Sequence, residues 1–137
     1  MMGFVLDERL ERSSRFVADL PLCQVRIQDE VRFPWIVLIP RKQNIEEVID
    51  LEMDDQHQLA EEIAFASHAM RDIFSPHKLN IGALGNQVRQ LHVHVIARYE
   101  EDLAWPNPVW GYFELSSQYS RDALQRRIAA LQKALEA

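Results

Sequence analysis

Gln90-Leu91-His92-Val93-His94-Val95-Ile96 sets two histidines two residues apart inside a run that alternates polar and apolar side chains. In an extended strand, side chains two apart share a face. Gln90, His92 and His94 are therefore expected on one side, with Leu91, Val93 and Val95 turned towards a core. Burial of the apolar row pins the register, so the polar row cannot rotate away. Two imidazoles held side by side on a rigid element make a reaction centre. The same spacing also suits zinc, which would need a third ligand. His68, His77 and Glu100 are the candidates, and none has a diagnostic spacing.

The elements that must position this row follow from periodicity. Leu6 and Leu10, then Phe16 and Val17, predict a short N-terminal helix through the polar Asp7–Arg15 segment. Leu22 to Gln28 alternates as a strand, Asp29 and Glu30 form a turn, and Trp35 to Ile39 is a more buried strand ending at Pro40. These two strands are expected to form an antiparallel hairpin. Leu59, Ile63, Ala66, Met70 and Ile73 keep helical spacing, with Asp54 and Asp55 at the positive end and Ser75-Pro76 as the stop. Lys78 to Leu84 predicts a strand, Gly85-Asn86 a turn, and residues 88–98 the strand that carries the histidines. Pro106 and Pro108 mark an irregular segment holding Trp105 and Trp110. A last helix over about residues 120–136 has Leu124, Ile128, Leu131 and Leu135 on one stripe. Hairpins mixed with two longer helices indicate an α+β fold with a mostly antiparallel sheet.

The 137 residues fit a single domain, 1–137, with room for an ordinary core. Fifteen basic and 21 acidic residues give a net charge of −6, which argues against binding nucleic acid through its backbone. A hydrophobic fraction of 47% and a charged fraction of 26% are those of a globular protein. Cys23 is the only cysteine, which excludes an internal disulfide and fits a reducing compartment. Acid at Asp7 interrupts any signal-like start, and no run approaches a membrane span. A cytoplasmic protein without membrane partners is expected.

Gly85-Asn86-Gln87-Val88-Arg89-Gln90-Leu91-His92-Val93-His94-Val95-Ile96-Ala97-Arg98 resembles the motif of the histidine triad (HIT) superfamily, three histidines alternating with apolar residues after a Gly-Gln-Ser/Thr-Val segment. In that register His92 matches the middle histidine and His94 the last, while Gln90 stands at the first. Asn86 sits where the family usually has glutamine. Trp35-Ile36-Val37-Leu38-Ile39-Pro40-Arg41-Lys42 resembles the family's apolar strand ending in Ile-Pro-Lys/Arg, although Trp35 falls where many members have histidine. Trp105-Pro106-Asn107-Pro108-Val109-Trp110-Gly111 looks like the tail of a bacterial branch of HIT family hydrolases related to diadenosine polyphosphate hydrolases. That branch also tends to carry glutamine at the first triad position. The resemblance implies an α+β HIT-like fold of about five mostly antiparallel strands and two main helices, assembled as a homodimer.

It also implies a reaction: attack on the α-phosphorus of a small-molecule nucleotide, giving a nucleotidyl-histidine that water hydrolyses. His92 is then the nucleophile, since neutral imidazole is available near pH 7. In the family, a main-chain carbonyl at the first-histidine position fixes its tautomer, and Gln90 retains that carbonyl. His94 would donate a hydrogen bond to a phosphate or leaving-group oxygen. The Gln90 amide would also donate, without carrying a proton. Asn86, Gln87 and Val88 are expected to meet the phosphate through N–H groups of a turn, and Asp29 to hold the ribose hydroxyls. Asn80 is a further substrate contact, or a structural hydrogen-bonding residue. Arg98, Lys78, Arg41 and Lys42 lie on segments that the family fold brings near, whereas Arg89 points away by strand parity. No metal or other cofactor is required. Two other readings remain open: a nucleotide-binding module with little catalysis, favoured by Gln90 and Trp35, and a metal-dependent hydrolase built on the His-x-His pair.

Overall fold

The computed structural model describes residues 3–136, so residues 1, 2 and 137 of the expected 1–137 domain lie outside the described part. A short helix α1 (Glu8–Ser13) leads into strands β1 (Ser14–Asp19), β2 (Cys23–Gln28) and β3 (Trp35–Pro40). Helix α2 (Met53–Phe74), strands β4 (Lys78–Gly82) and β5 (Val93–Arg98), and helix α3 (Arg121–Ala134) complete the order. The five described strands form one antiparallel sheet, β1-β2-β3-β5-β4, with β5 inserted between β3 and β4.

The expected hairpin is present as β2 and β3, in register from Cys23 opposite Pro40 to Ile27 opposite Ile36. The N-terminal helix is shorter than its pattern suggested. It begins at Asp7, whose carboxylate accepts the N–H of Arg9, and ends at Ser13, because Ser14 is extended and its hydroxyl donates back to the Leu10 carbonyl. Phe16 and Val17 belong instead to β1, an unpredicted strand. A register shift between Phe16 and Ala18 breaks its two-residue burial rhythm, which removes the sequence signal of a strand.

Helix α2 lays Leu59, Ala66 and Met70 against the sheet and stops at Ser75, which adopts a left-handed backbone with φ 45° before Pro76. The C-terminal helix, expected over about 120–136, runs from Arg121 to Ala134, with Ser120 capping it and Leu131 and Leu135 buried. Among the described residues, no helix is long and apolar enough to cross a membrane.

The motif strand expected over 88–98 starts only at Val93. Before that point the backbone bonds elsewhere: the Leu91 N–H donates to Ile45 O, so residues 88–92 run as an irregular segment. Every residue of β5 is buried. Val93, Val95 and Ala97 join the main core with α2, whereas Ile96 packs on the other face with Phe33, Ala104 and Val109. Beyond His94 this face is thus roofed by residues 99–111. Arg98 organises that roof. It is 1% exposed and binds Asp102 at 2.8 Å, Asn80 Oδ1 at 2.8 Å and the Asn107 carbonyl at 2.9 Å. Asp102 in turn accepts the N–H groups of Tyr99, Ala104 and Trp105.

Candidate active site

His92 lies one residue before β5 and His94 one residue inside it, and their ring centroids are 5.0 Å apart. Both line an open cleft of about 600 Å³ together with Trp35, Trp110 and the 84–88 loop. The Nδ1 of His92 is 2.7 Å from the Gln90 carbonyl oxygen. A carbonyl only accepts, so Nδ1 carries a proton, and in the neutral ring Nε2 keeps the lone pair. His94 is arranged the other way. The Nε1–H of Trp35 donates to His94 Nδ1 at 2.9 Å, which leaves the proton on Nε2. The pair therefore offers one nucleophilic nitrogen and one N–H donor. Burial, reinforced by the neighbouring His92, pushes the His94 pKa down to about 3, so its ring is neutral near pH 7.

The loop before the motif forms one rim. Gly85, at φ 71°, makes the left-handed turn that a side chain would strain, and Asn86, Gln87 and Val88 follow along the cleft. Arg9 fixes this loop by donating to the Gln87 carbonyl at 2.8 Å. Asp7 holds the same guanidinium at 3.2 Å, and the Arg9 side chain itself borders the cleft. Among the described residues lining the cleft, Arg9 is the one permanent cation, and none is a carboxylate.

Not every residue picked from the sequence gathers here. The Gln90 amide faces the N-terminal segment, with Nε2 donating to Val5 O at 2.9 Å and Oε1 accepting the Asp7 N–H at 2.8 Å. Its carbonyl serves His92, but its amide is directed away from the cleft. Asn80 is held by Arg98 and does not line the cleft; the structural role fits it, and the substrate contact does not. Asp29 accepts the Tyr119 N–H at 3.0 Å and sits 3.6 Å from Arg15. It borders a neighbouring hollow that shares Arg9, Ser13 and Gln28 with the histidine cleft.

The expected phosphate-facing cations are also engaged elsewhere. Arg98 is buried on Asp102, Arg41 binds the Leu20 carbonyl and Asp19, and Lys42 pairs with Asp55 at 3.5 Å. Lys78 borders a separate hollow with His77, and Arg89 pairs with Glu46 on the surface. The cation present instead is Arg9, which nothing in local spacing links to a motif about 80 residues away. Trp35 was equally hard to assign, because an aromatic on an apolar strand reads as core. Among the described residues, no three His, Cys, Asp or Glu side chains cluster as metal ligands. His77 and Glu100 instead face each other at 3.7 Å.

A five-stranded antiparallel sheet with a histidine pair at the start of its inserted strand defines the class, and comparison with known proteins agrees. The HIT domain model matches residues 9–101, and the chain belongs to that family. It is similar to a histidine triad protein of Sinorhizobium meliloti 1021, with 41% identity over 98% of this chain and 99% of that one and a TM-score of 0.95. A histidine triad protein of Bradyrhizobium japonicum matches at 41% identity over 97% and 98% of the two chains, with a TM-score of 0.94. The diadenosine triphosphate hydrolase of Plasmodium falciparum shares the fold at 15% identity, covering 96% of this chain and 81% of that one with a TM-score of 0.67. No protein of curated function matches.

Proposed function

We propose that this HIT-domain protein is a nucleotide hydrolase or transferase that cleaves a phosphoanhydride or phosphoramidate bond at the α-phosphate through a nucleotidyl-His92 intermediate. The observation that carries the reading is the 2.7 Å contact between His92 Nδ1 and the Gln90 carbonyl, which leaves Nε2 unprotonated beside a neutral N–H donor on His94. The Nε2 lone pair attacks phosphorus, and the Gln90 carbonyl steadies the imidazolium that forms. The His94 N–H and main-chain N–H groups of the Asn86–Val88 loop meet the charge that builds on the phosphoryl oxygens. Asp29 holds the ribose from the adjoining hollow. The Trp105–Gly111 segment and the fold shared with a diadenosine triphosphate hydrolase favour the diadenosine polyphosphate hydrolase branch. The same reading makes the protein a homodimer, which light scattering tests against the 16.0 kDa chain mass.

Intact-mass analysis after incubation with dinucleoside polyphosphates, nucleoside phosphoramidates and nucleotide sugars tests the mechanism. A nucleotidyl adduct is expected on the wild type and not on His92→Ala, which should lose turnover yet fold. Full hydrolysis by pure His92→Ala would refute the role. A second reading, a nucleotide-binding module with little catalysis, draws on Gln90 and Trp35, neither of which can take up and release a proton as a histidine does. It predicts nucleotide affinity with no adduct.

A further inference from the structure

We infer that Trp35 is a positioning residue that locks His94 as an uncharged hydrogen-bond donor, so that the site takes phosphoanhydrides, whose leaving group departs as a stable anion, in preference to phosphoramidates or alkyl phosphate esters. The leaving-group part rests on the nucleotidyl-His92 reading; the lock on His94 does not.

The lock is geometric. An indole N–H only donates, and Trp35 Nε1 lies 2.9 Å from His94 Nδ1. A second proton on the His94 ring would set two donors against each other at that distance. Solvation of a charged ring is also poor, because Trp35, Trp110 and His92 crowd it with centroids at 5.6, 5.5 and 5.0 Å. His94 is 7% exposed. Of these three neighbours only His92 has an ionisable ring, and its charge lowers the His94 pKa further. Arg9 borders the same cleft with Asp7 paired to it at 3.2 Å, and no described lining residue is a carboxylate that would hold a proton on His94.

The consequence concerns the departing group. Among the described residues, the ionisable side chains lining the cleft are Arg9, His92 and His94. Arg9 does not release a proton, His92 uses its Nε2 lone pair as nucleophile, and His94 is held neutral. The Gln90 amide neither carries a proton nor points into the cleft. The described site therefore lacks a general acid. In the first step the His92 Nε2–P bond forms as the bridging P–O bond breaks, and the bond's electron pair leaves on a phosphate oxygen, which needs no proton. In the second step water forms the new P–O bond, its proton passes to solvent, and the P–N electron pair returns to Nε2. An amine or alkoxide leaving group must gain a proton as it departs, and no group here supplies it.

Two measurements on the full chain test this. Long-range 1H–15N spectra of the His94 ring should show the Nε2–H tautomer at pH 7 with no titration down to pH 5. A ring titrating near its ordinary value, or an Nδ1–H form, would overturn the lock. Diadenosine triphosphate should turn over roughly 10²–10⁴-fold faster in kcat/KM than adenosine 5′-phosphoramidate or adenosine 5′-(methyl phosphate), the contribution usual for a general acid. Equal rates would overturn the selection. Trp35→Phe keeps a ring but removes the donor, so His94 should begin to titrate and the ratio should narrow; an unchanged ratio counts against the inference. A wild type with the Nε2–H tautomer that forms no adduct and cleaves none of the three substrates would sink the enzymatic reading and the selection with it, while the lock on His94 would stand.

Discussion

At the scale of single residues, His92 and His94 were legible because a two-residue period says which side chains share a face, and no more than that is needed to pair them. What each ring could do was legible only through the family resemblance, because it depends on the partner of its second nitrogen. Gln90 supplies one partner through the backbone and is adjacent in sequence; Trp35 supplies the other from a different strand. The burial of His94 has a thermodynamic signature. Its pKa is about 3 when folded and near the ordinary 6.5 when unfolded, so the unfolded chain binds the extra proton between those values. Stability from this group is fully present above pH 6.5 and is lost as pH falls towards 3, with a slope approaching about 1.4 kcal/mol per pH unit. The carboxylates of Asp7, Glu30, Asp50 and Asp102 are held below their ordinary values of 3.8 to 4.5, so their contribution is lost mainly as pH falls below those values. Urea unfolding between pH 6.5 and 4.5 should therefore show a falling stability in the wild type that is absent in His94→Gln. A matching slope in the variant would remove His94 as its source. Arg9 makes a different prediction: Arg9→Gln should raise KM for an anionic nucleotide by about tenfold while leaving adduct formation on His92 intact at saturation. An unchanged KM would exclude Arg9 from phosphate binding.

At the scale of elements, the long helices and the β2–β3 hairpin followed their periodicities, and β1 did not because its bulge erased the rhythm. β5 was over-extended for a related reason. Residues 88–92 alternate like a strand, but their backbone groups bond the 45 region and the His92 ring rather than a neighbouring strand. A repeating pattern reports which faces are apolar; it does not report which N–H meets which carbonyl. The roof over the histidines was likewise seen only as an irregular segment. Its order comes from the pair Arg98–Asp102, with side chains 1% and 4% exposed. Burial pushes Asp102 up, but hydrogen bonds from Arg98 and from the N–H groups of Tyr99 and Ala104 outweigh it and hold its carboxyl below the usual range. Asp102→Ala strands a buried guanidinium and three N–H donors, so it should cost about 3–5 kcal/mol by chemical denaturation. It should also loosen Trp110 over His94 and speed proteolysis within 99–111. A loss under 1 kcal/mol would show that the roof is held by its apolar contacts instead.

At the scale of the whole molecule, the site is assembled from segments that are far apart in sequence. The Gln90 amide clasps Val5 and Asp7, Arg9 reaches Gln87, and Tyr119 closes on Asp29. Phe4 and Leu6 pack beneath the same segment with Val37, Ile39 and Val88. Gln90 thus has a structural task in this chain: it ties the N-terminal segment, and through Asp7 and Arg9 the Asn86–Val88 loop, to the segment that carries the two histidines. This arrangement divides the two halves of one residue. The main chain of Gln90 orients His92, and its side chain secures residues 5–7. Gln90→Met keeps the length and the carbonyl but removes both amide hydrogen bonds, leaving the Val5 carbonyl and the Asp7 N–H without this partner. Stability should fall by about 2 kcal/mol for two hydrogen bonds, and hydrogen exchange should quicken at Asp7 and along Glu8–Ser13. The His92 ring should keep its Nδ1–H tautomer and still accept a nucleotidyl group, because the carbonyl that sets it is untouched. Loss of the adduct with that tautomer preserved would show that the amide itself enters the reaction, and the division of labour would fail.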